Sequence, residues 1–367
     1  MTNVFGQSMV PIEVVHSTII RRKTERTAIG RVIGWLAPAI LMVALTACSS
    51  IGNGTSNRNV TQGAEGASIS RAAPTAATVS PVAEQRTEVK TVKTMNGDIR
   101  IPLQPQRIVA EEYLGSLIPL GVIPVGAPSL ILKNIYFKEA LQKVADTGDY
   151  GKMNLEKIAQ LNPDLILSSN SDNYVQLSKI APTVIVPYGE LKNAHEELTY
   201  FGQLLGKQKE AAAWLIDYDR RIALAKARVD KAVPPEATFS ILEVTEKTIY
   251  TYGNNFGRGG QPVYQSLGRK PPAKVASTIM EKQWAELSPE MMVEYAGDYL
   301  VITSNSKTLE DFQKDPLWNS LPAFKNNHVY VWKEEHSWYY DPIAVLSQTE
   351  ELANWLVEGT TRRYLGK

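Results

Sequence analysis

The chain has 367 residues, of which 44% are hydrophobic, with 39 Lys/Arg against 38 Asp/Glu and a formal charge of +1. That near-balance, with no Lys/Arg-rich run in the body of the chain, argues against a nucleic-acid binder. The single cysteine, Cys48, excludes an internal disulfide and a cysteine-based metal cluster.

Read from the N-terminus, Arg21, Arg22, Lys23, Arg26 and Arg31 precede an apolar run from Val32 to Ala44, and small residues lead to Cys48. This is the three-part layout of a secretory signal. A transmembrane helix needs about 20 apolar residues, whereas this run is 13 long and contains Pro38. Leu45-Thr46-Ala47-Cys48 resembles the lipobox of bacterial lipoproteins, which implies a lipid on the Cys48 thiol and a mature N-terminus there. Residues 1–47 are therefore expected to be a signal peptide. Without them 34 Lys/Arg face 36 Asp/Glu, a formal charge of −2. From Ser49 to about Glu88 the chain is Ser, Thr, Asn, Gly and Ala with scattered Pro. Such a stretch cannot offset its own ordering entropy, so 48–90 reads as a flexible tether with a reach of roughly 35 Å.

The folded part is expected as two α/β lobes, 91–206 and 234–367, joined by one long helix over 207–233. In the first lobe, strands are predicted at Ile108–Ala110, Val122–Gly126, Leu165–Leu167 and Thr183–Val186, with a helix around Tyr113–Leu120. A second series opens at Phe239–Val244 and continues through Tyr299–Ile302 and Val329–Trp332. Short apolar strands alternating with helices predict Rossmann-like parallel sheets. Between the series, Lys207 to Ala232 holds no Gly or Pro and ends before Pro234-Pro235, as a long helix should.

An internal echo points to related halves. Asn154 to Ile166 parallels Ser288 to Leu300: a helix-capping residue, an acid in the first turn (Glu156, Glu290), an amphipathic helix, then Asp before a strand (Asp164, Asp298). The Glu-to-Asp spacing is the same in both copies.

Enzyme chemistry finds little support. No Gly-x-Ser-x-Gly, His-Glu-x-x-His or P-loop motif occurs, and His195, His328 and His336 are scattered without the carboxylates a metal site needs. Two stretches are rich in binding chemistry instead. Tyr250-Thr251-Tyr252-Gly253-Asn254-Asn255-Phe256-Gly257-Arg258-Gly259-Gly260 combines permissive glycines with a guanidinium fork and aromatic rings. His336-Ser337-Trp338-Tyr339-Tyr340-Asp341-Pro342 offers an amphipathic aromatic wall. Tyr339-Tyr340 also raises direct Fe³⁺ binding by phenolates, although no matching ligand set stands beside it.

From about Val92 onward the sequence resembles the iron-siderophore-binding lipoproteins of ABC importers. The resemblance rests on Ile101-Pro102-Leu103-Gln104-Pro105-Gln106-Arg107-Ile108-Val109, Leu120 to Gly126, Asn162-Pro163-Asp164-Leu165-Ile166, Phe256 to Gly260 and Trp338 to Pro342, in family order. It implies a bilobed solute-binding protein with a rigid interlobe helix and a ferric siderophore as ligand, no cofactor and no bound metal of its own. Arg258 would face the oxygens around iron and Trp338 the opposing wall. Phe256, Tyr250, Tyr339 and Tyr340 are expected near them, with Tyr113, Lys133 and Tyr188 as first-lobe contributors. Hydroxamate relatives often carry Trp where this chain has Phe256. Glu156 and Glu290 would dock on an ABC permease dimer with its ATPase, the protein being a monomer held at the membrane through Cys48. Ferric citrate, haem and cobalamin are the alternative ligands.

Overall fold

In the computed structural model, residues 88–365 are described, so the expected signal, Cys48 and nearly all of the tether lie outside them. The described part opens with a hairpin, β1 (Val89–Thr94) and β2 (Gly97–Pro102), turned at Gly97 with φ of 94°. The first lobe follows: β3 (Ile108–Ala110), β4 (Gly126–Ala127), β5 (Ala145–Asp146), a small hairpin of β6 (Gly148–Asp149) and β7 (Lys152–Met153), then β8 (Leu165–Ser168) and β9 (Thr183–Ile185). The second lobe holds β10 (Phe239–Val244), β11 (Ile249–Tyr252), β12 (Trp284–Leu287), β13 (Tyr299–Thr303) and β14 (Val329–Trp332).

Each lobe is built on a five-stranded sheet, ordered β5-β4-β3-β8-β9 in the first and β12-β11-β10-β13-β14 in the second. The first sheet is parallel throughout. The second is mixed, because β11 runs antiparallel to both β10 and β12. The parallel strands are continuous buried runs, such as Leu165–Ser168 and Tyr299–Thr303, as sheets covered on both faces require.

Two expectations are corrected here. The strand predicted over Val122–Gly126 shrinks to Gly126–Ala127; Pro124, with no N–H to give a ladder, precedes it. The helix around Tyr113–Leu120 is broken into Leu114–Leu117 and a 3₁₀ turn at Ile118–Leu120, where Pro119 enters.

The echo between the halves has a structural counterpart. Asp164 accepts from the backbone N–H groups of Gln106 (2.7 Å) and Arg107 (2.9 Å) just before β3. Asp298 accepts from Thr238 N (2.8 Å) just before β10. Each aspartate thus ties the strand that follows it to its parallel neighbour, β8 to β3 and β13 to β10.

The long helix, Gln208–Ala232, is roughly 38 Å from end to end at 1.5 Å per residue. Its buried residues serve different cores. Ala211 packs with Phe201 and Leu204 in the first lobe, whereas Ala225 and Val229 pack with Phe239 and Ile241 in the second. The C-terminal helix, Pro342–Leu365, does the same, with Ile343 against the first core and Leu352, Ala353 and Leu356 in the second. Arg221 joins the two helices through a bidentate pair to Glu350, at 2.8 and 2.6 Å. The fold is therefore two α/β lobes with two helical braces across them.

Candidate functional site

The Arg258 loop owes its shape to three successive residues in the left-handed region: Gly257 (φ 75°), Arg258 (φ 58°) and Gly259 (φ 92°). A non-glycine residue is held there at some conformational cost, so its surroundings must impose it. Arg258 N donates to Ser337 O at 2.7 Å, and a Cβ on Gly257 would stand 2.6 Å from Trp338 O. The loop is pressed against the 337–338 backbone from one side. From the other, Gln283 braces it: its Oε1 accepts from Asn255 N (2.7 Å) and its Nε2 donates to Asn254 Oδ1 (3.1 Å). Gln283 is itself left-handed, φ 66°, and its carbonyl accepts from Gly253 N at 2.7 Å. A π-helical turn, Gln261–Ser266, follows directly, a form enriched at functional sites.

Arg258 is only 4% exposed. Its Nε donates to Glu243 Oε2 at 3.2 Å and its Nη2 to Glu243 Oε1 at 3.4 Å. The guanidinium carbon lies 3.9 Å from the centre of the Trp338 ring and 5.2 Å from that of Tyr252, within cation–π reach of both. Tyr252 also donates its hydroxyl to Glu243, and burial drives its phenol far above the ordinary range. Sequence reasoning proposed Arg258 and Trp338 as opposing walls. They are in contact, and Glu243 and Tyr252 complete their surroundings.

The aromatic cluster continues across to the first lobe. Phe256 stacks with Tyr252 (5.9 Å between centroids) and meets Tyr188 edge-on at 5.7 Å. Tyr188, which follows β9, in turn meets Tyr340 at 5.2 Å. The 336–341 segment is fastened to the first lobe: Tyr136 OH donates to His336 O (2.7 Å), Asn134 Nδ2 to Asp341 Oδ2 (3.1 Å) and Tyr339 OH to Leu130 O (3.5 Å). Gly115 has no room for a Cβ, which would meet Asp341 Oδ1 at 2.0 Å. Below Tyr188 and Tyr340 lies Glu112, which accepts from the Tyr150 hydroxyl; burial, with Glu111 and Asp341 nearby, holds its carboxyl up to about 7.

Not every expected residue reaches this cluster. Tyr113 is a core residue, 7% exposed, with its ring on Phe201 and its hydroxyl given to Val186 O at 2.8 Å. Its left-handed φ of 70° placed it at the turn into Leu114–Leu117, a strand-end position easily mistaken for a cleft lining. Lys133 is exposed at the end of the Ser129–Leu132 helix, within electrostatic reach of Asp146. Tyr250 shares a face of β11 with Tyr252, as alternate strand residues do, but packs on Trp284 at 6.0 Å. Tyr339 and Tyr340 do not present themselves as phenolates: burial pushes Tyr339 up to about 12 and Tyr340 well above its ordinary value. Among the described residues no group of three or more His, Cys, Asp or Glu is arranged for a metal ion. Glu156, in the first turn of Leu155–Gln160, and Glu290, in the turn Pro289–Met291, are both exposed.

Glu243 and Gln283 were missed, whereas Tyr252 stood out as one of the aromatic rings of the 250–260 stretch without its partner Glu243. Glu243 sits inside an apolar strand, and an acid in such a run is the one signal that would have pointed to a buried cationic partner.

A bilobed body with an aromatic and arginine-lined junction is a frame for holding a solute. Residues 108–336 match the periplasmic binding protein family model. The chain belongs to the periplasmic binding protein family. It is 36% identical over 286 residues to the iron(3+)-hydroxamate-binding protein YxeB of Bacillus subtilis, covering 76% of this chain and 88% of that one. Among solved structures it is similar to FhuD2 of Staphylococcus aureus with bound ferrioxamine B (TM-score 0.63, 30% identity, 70% of this chain and 100% of that chain). It is also similar to a FhuD-fold component of a ferrichrome ABC transporter from Bacillus subtilis (TM-score 0.61, 33% identity, 69% and 97%). The two-lobe α/β architecture is that of these proteins, and the family is one of solute carriers rather than enzymes.

Proposed function

We propose that this protein captures a ferric siderophore, of hydroxamate type by preference, outside the cytoplasm and delivers it to an ABC permease. The observation that carries this reading is the Arg258–Trp338 stack, continued through Phe256, Tyr188 and Tyr340 from one lobe to the other. A ferric hydroxamate is a bulky chelate with an oxygen-lined face and an organic backbone. It needs aromatic walls and hydrogen-bonding groups, not protein ligands to iron. Nanomolar affinity requires about −12 kcal/mol, more than an exposed ion pair supplies at under about 1 kcal/mol, so ring burial must provide most of it. The named ligands of the relatives support the same class.

The test is a fluorescence titration. Because Trp338 lies in the proposed wall, tryptophan emission should quench on addition of a ferric hydroxamate and saturate at one equivalent. Haem, cobalamin and ferric citrate form the comparison set; saturable quenching by one of these alone would assign the cleft to that ligand instead, and no quenching by any chelate would remove the reading.

Glu156 and Glu290 support a docking role. Both are exposed on the first turn after quasi-equivalent positions in the two lobes, the arrangement expected of a body that presents one carboxylate per lobe to a two-fold permease. Replacing both by Ala should reduce iron-chelate uptake by cells while the fluorescence titration of the purified protein stays as in the parent. Uptake at the parental rate in the double variant would refute docking through these carboxylates. The lipid on Cys48 completes the proposal by keeping the protein beside its permease; replacing Cys48 should release it from the membrane fraction.

A further inference from the structure

Among the described residues, Arg258 is the cation that stacks on the rings of this junction, and it does not stand alone. Two of its donors are already used on Glu243, at 3.2 and 3.4 Å, and the guanidinium carbon lies over the Trp338 and Tyr252 rings. Glu334, on the short helix Glu334–Ser337, also lies within electrostatic reach of both Arg258 and Glu243 and is held by Asn305 Nδ2 at 2.8 Å. On the first-lobe side the carboxyls of Glu112 and Glu197 act on Tyr188 and Tyr340, and Arg258 itself acts on Tyr188. One guanidinium therefore faces carboxyl groups from β10 and from the 334–337 helix. Among the described residues, the guanidinium stacked in this cluster is already paired and has little net positive charge to spend on an anion.

We propose that Glu243, by pairing with Arg258, is the residue that sets the charge class of the ligand: the cleft accepts uncharged and cationic ferric chelates and rejects anionic ones. This rests on the siderophore reading and narrows it. The Arg258 guanidinium remains a recognition group through its stack on Trp338 and its geometry, but its charge is neutralised within the protein. An incoming polycarboxylate chelate would meet Glu243 and Glu334 as like charges in a partly desolvated site, where such juxtaposition is strongly unfavourable. A trishydroxamate carries no net charge at iron, because three hydroxamates balance Fe³⁺. A pendant ammonium on its backbone would meet carboxylates rather than cations.

The experiment is a charge ladder on the full-length protein: ferrioxamine B, which is cationic, ferrichrome, which is neutral, and ferric dicitrate, which is anionic. Each is titrated by tryptophan fluorescence against the parent and against Glu243→Gln. The parent should bind the first two and bind dicitrate at least about a hundredfold more weakly. In Glu243→Gln the Arg258 charge is released, so the ratio of dicitrate to ferrichrome affinity should rise at least about tenfold, while ferrioxamine B loses ground to ferrichrome. Using the ratio removes the difference in ligand size, and the parent's ladder stands by itself if the variant folds poorly. Parent protein that binds dicitrate as tightly as ferrichrome overturns the charge assignment, as does a folded Glu243→Gln protein with an unchanged ratio. Neither result touches the siderophore reading. Parent protein that binds none of the three overturns that reading instead.

Discussion

Arg258→Ala should bind a ferric hydroxamate at least about tenfold more weakly than the parent, in line with the loss of a buried arginine anchor. The guanidinium stacks over Trp338 and reaches Tyr252, at 3.9 and 5.2 Å from the ring centres. Its removal leaves Trp338 without its stacking partner and frees the indole to turn. It also leaves Glu243, 12% exposed, facing the cleft without its cation. Removing one partner of a buried pair costs about 3–5 kcal/mol; Glu243 keeps the Tyr252 hydroxyl, so the loss of folding stability should fall at the lower end. Arg258→Lys should sit between the two proteins, since lysine keeps the charge but not the planar fork. Titration by tryptophan fluorescence and a thermal melt read both effects. An Arg258→Ala protein with the parent's titration curve would remove the guanidinium from the cleft wall.

The second large effect is expected from Gly260→Ala. A methyl group at this position would lie 1.9 Å from Gly253 O, and that carbonyl belongs to a residue whose N–H is fixed to Gln283 O at 2.7 Å. Neither backbone can yield without opening the 253–260 loop. The variant should lose about 3 kcal/mol or more of stability, the range of backbone clashes in packed positions. Siderophore affinity should fall by about a hundredfold, because the same loop carries Phe256 and Arg258 and any shift of about an ångström unseats both. Gly121→Ala is the control. Its φ is 71° but nothing lies within 4 Å of the added carbon, so it should cost only about 1 kcal/mol and leave binding alone. Equal melting of Gly260→Ala and Gly121→Ala would show that the loop has a second comfortable conformation.

The elements most legible in the sequence were those whose signal is local and strong. Phe239–Val244, Tyr299–Thr303 and Val329–Trp332 read as strands because a parallel sheet buried on both faces needs unbroken apolar runs. Gln208–Ala232 read as one helix because it lacks both helix breakers over its whole length. The antiparallel edge β11–β12 was missed because Trp284-Ala285-Glu286-Leu287 alternates over only four residues and pairs with a strand more than thirty positions earlier, from Tyr252↔Trp284 out to Ile249↔Leu287. In the candidate site the glycines and Arg258 stood out by composition. Its supports did not. Gln283 acts through a side-chain amide on a backbone about thirty residues away, and nothing in an isolated glutamine announces that. Tyr113 misled for the opposite reason: a tyrosine after a strand end has cleft chemistry in the sequence and core packing in the fold.

The paired helical braces have a mechanical consequence. A single connecting rod lets two bodies twist about it, but two rods side by side, cross-linked by Arg221 and Glu350, resist both twist and bend. With the 336–341 segment also fastened to the first lobe, the jaws are set before cargo arrives. Such a clamp grades its cargo by fit and not by closing on it: a chelate too small to span the rings gains no grip from motion. A frame braced in this way keeps no spring of its own with which to empty the cleft.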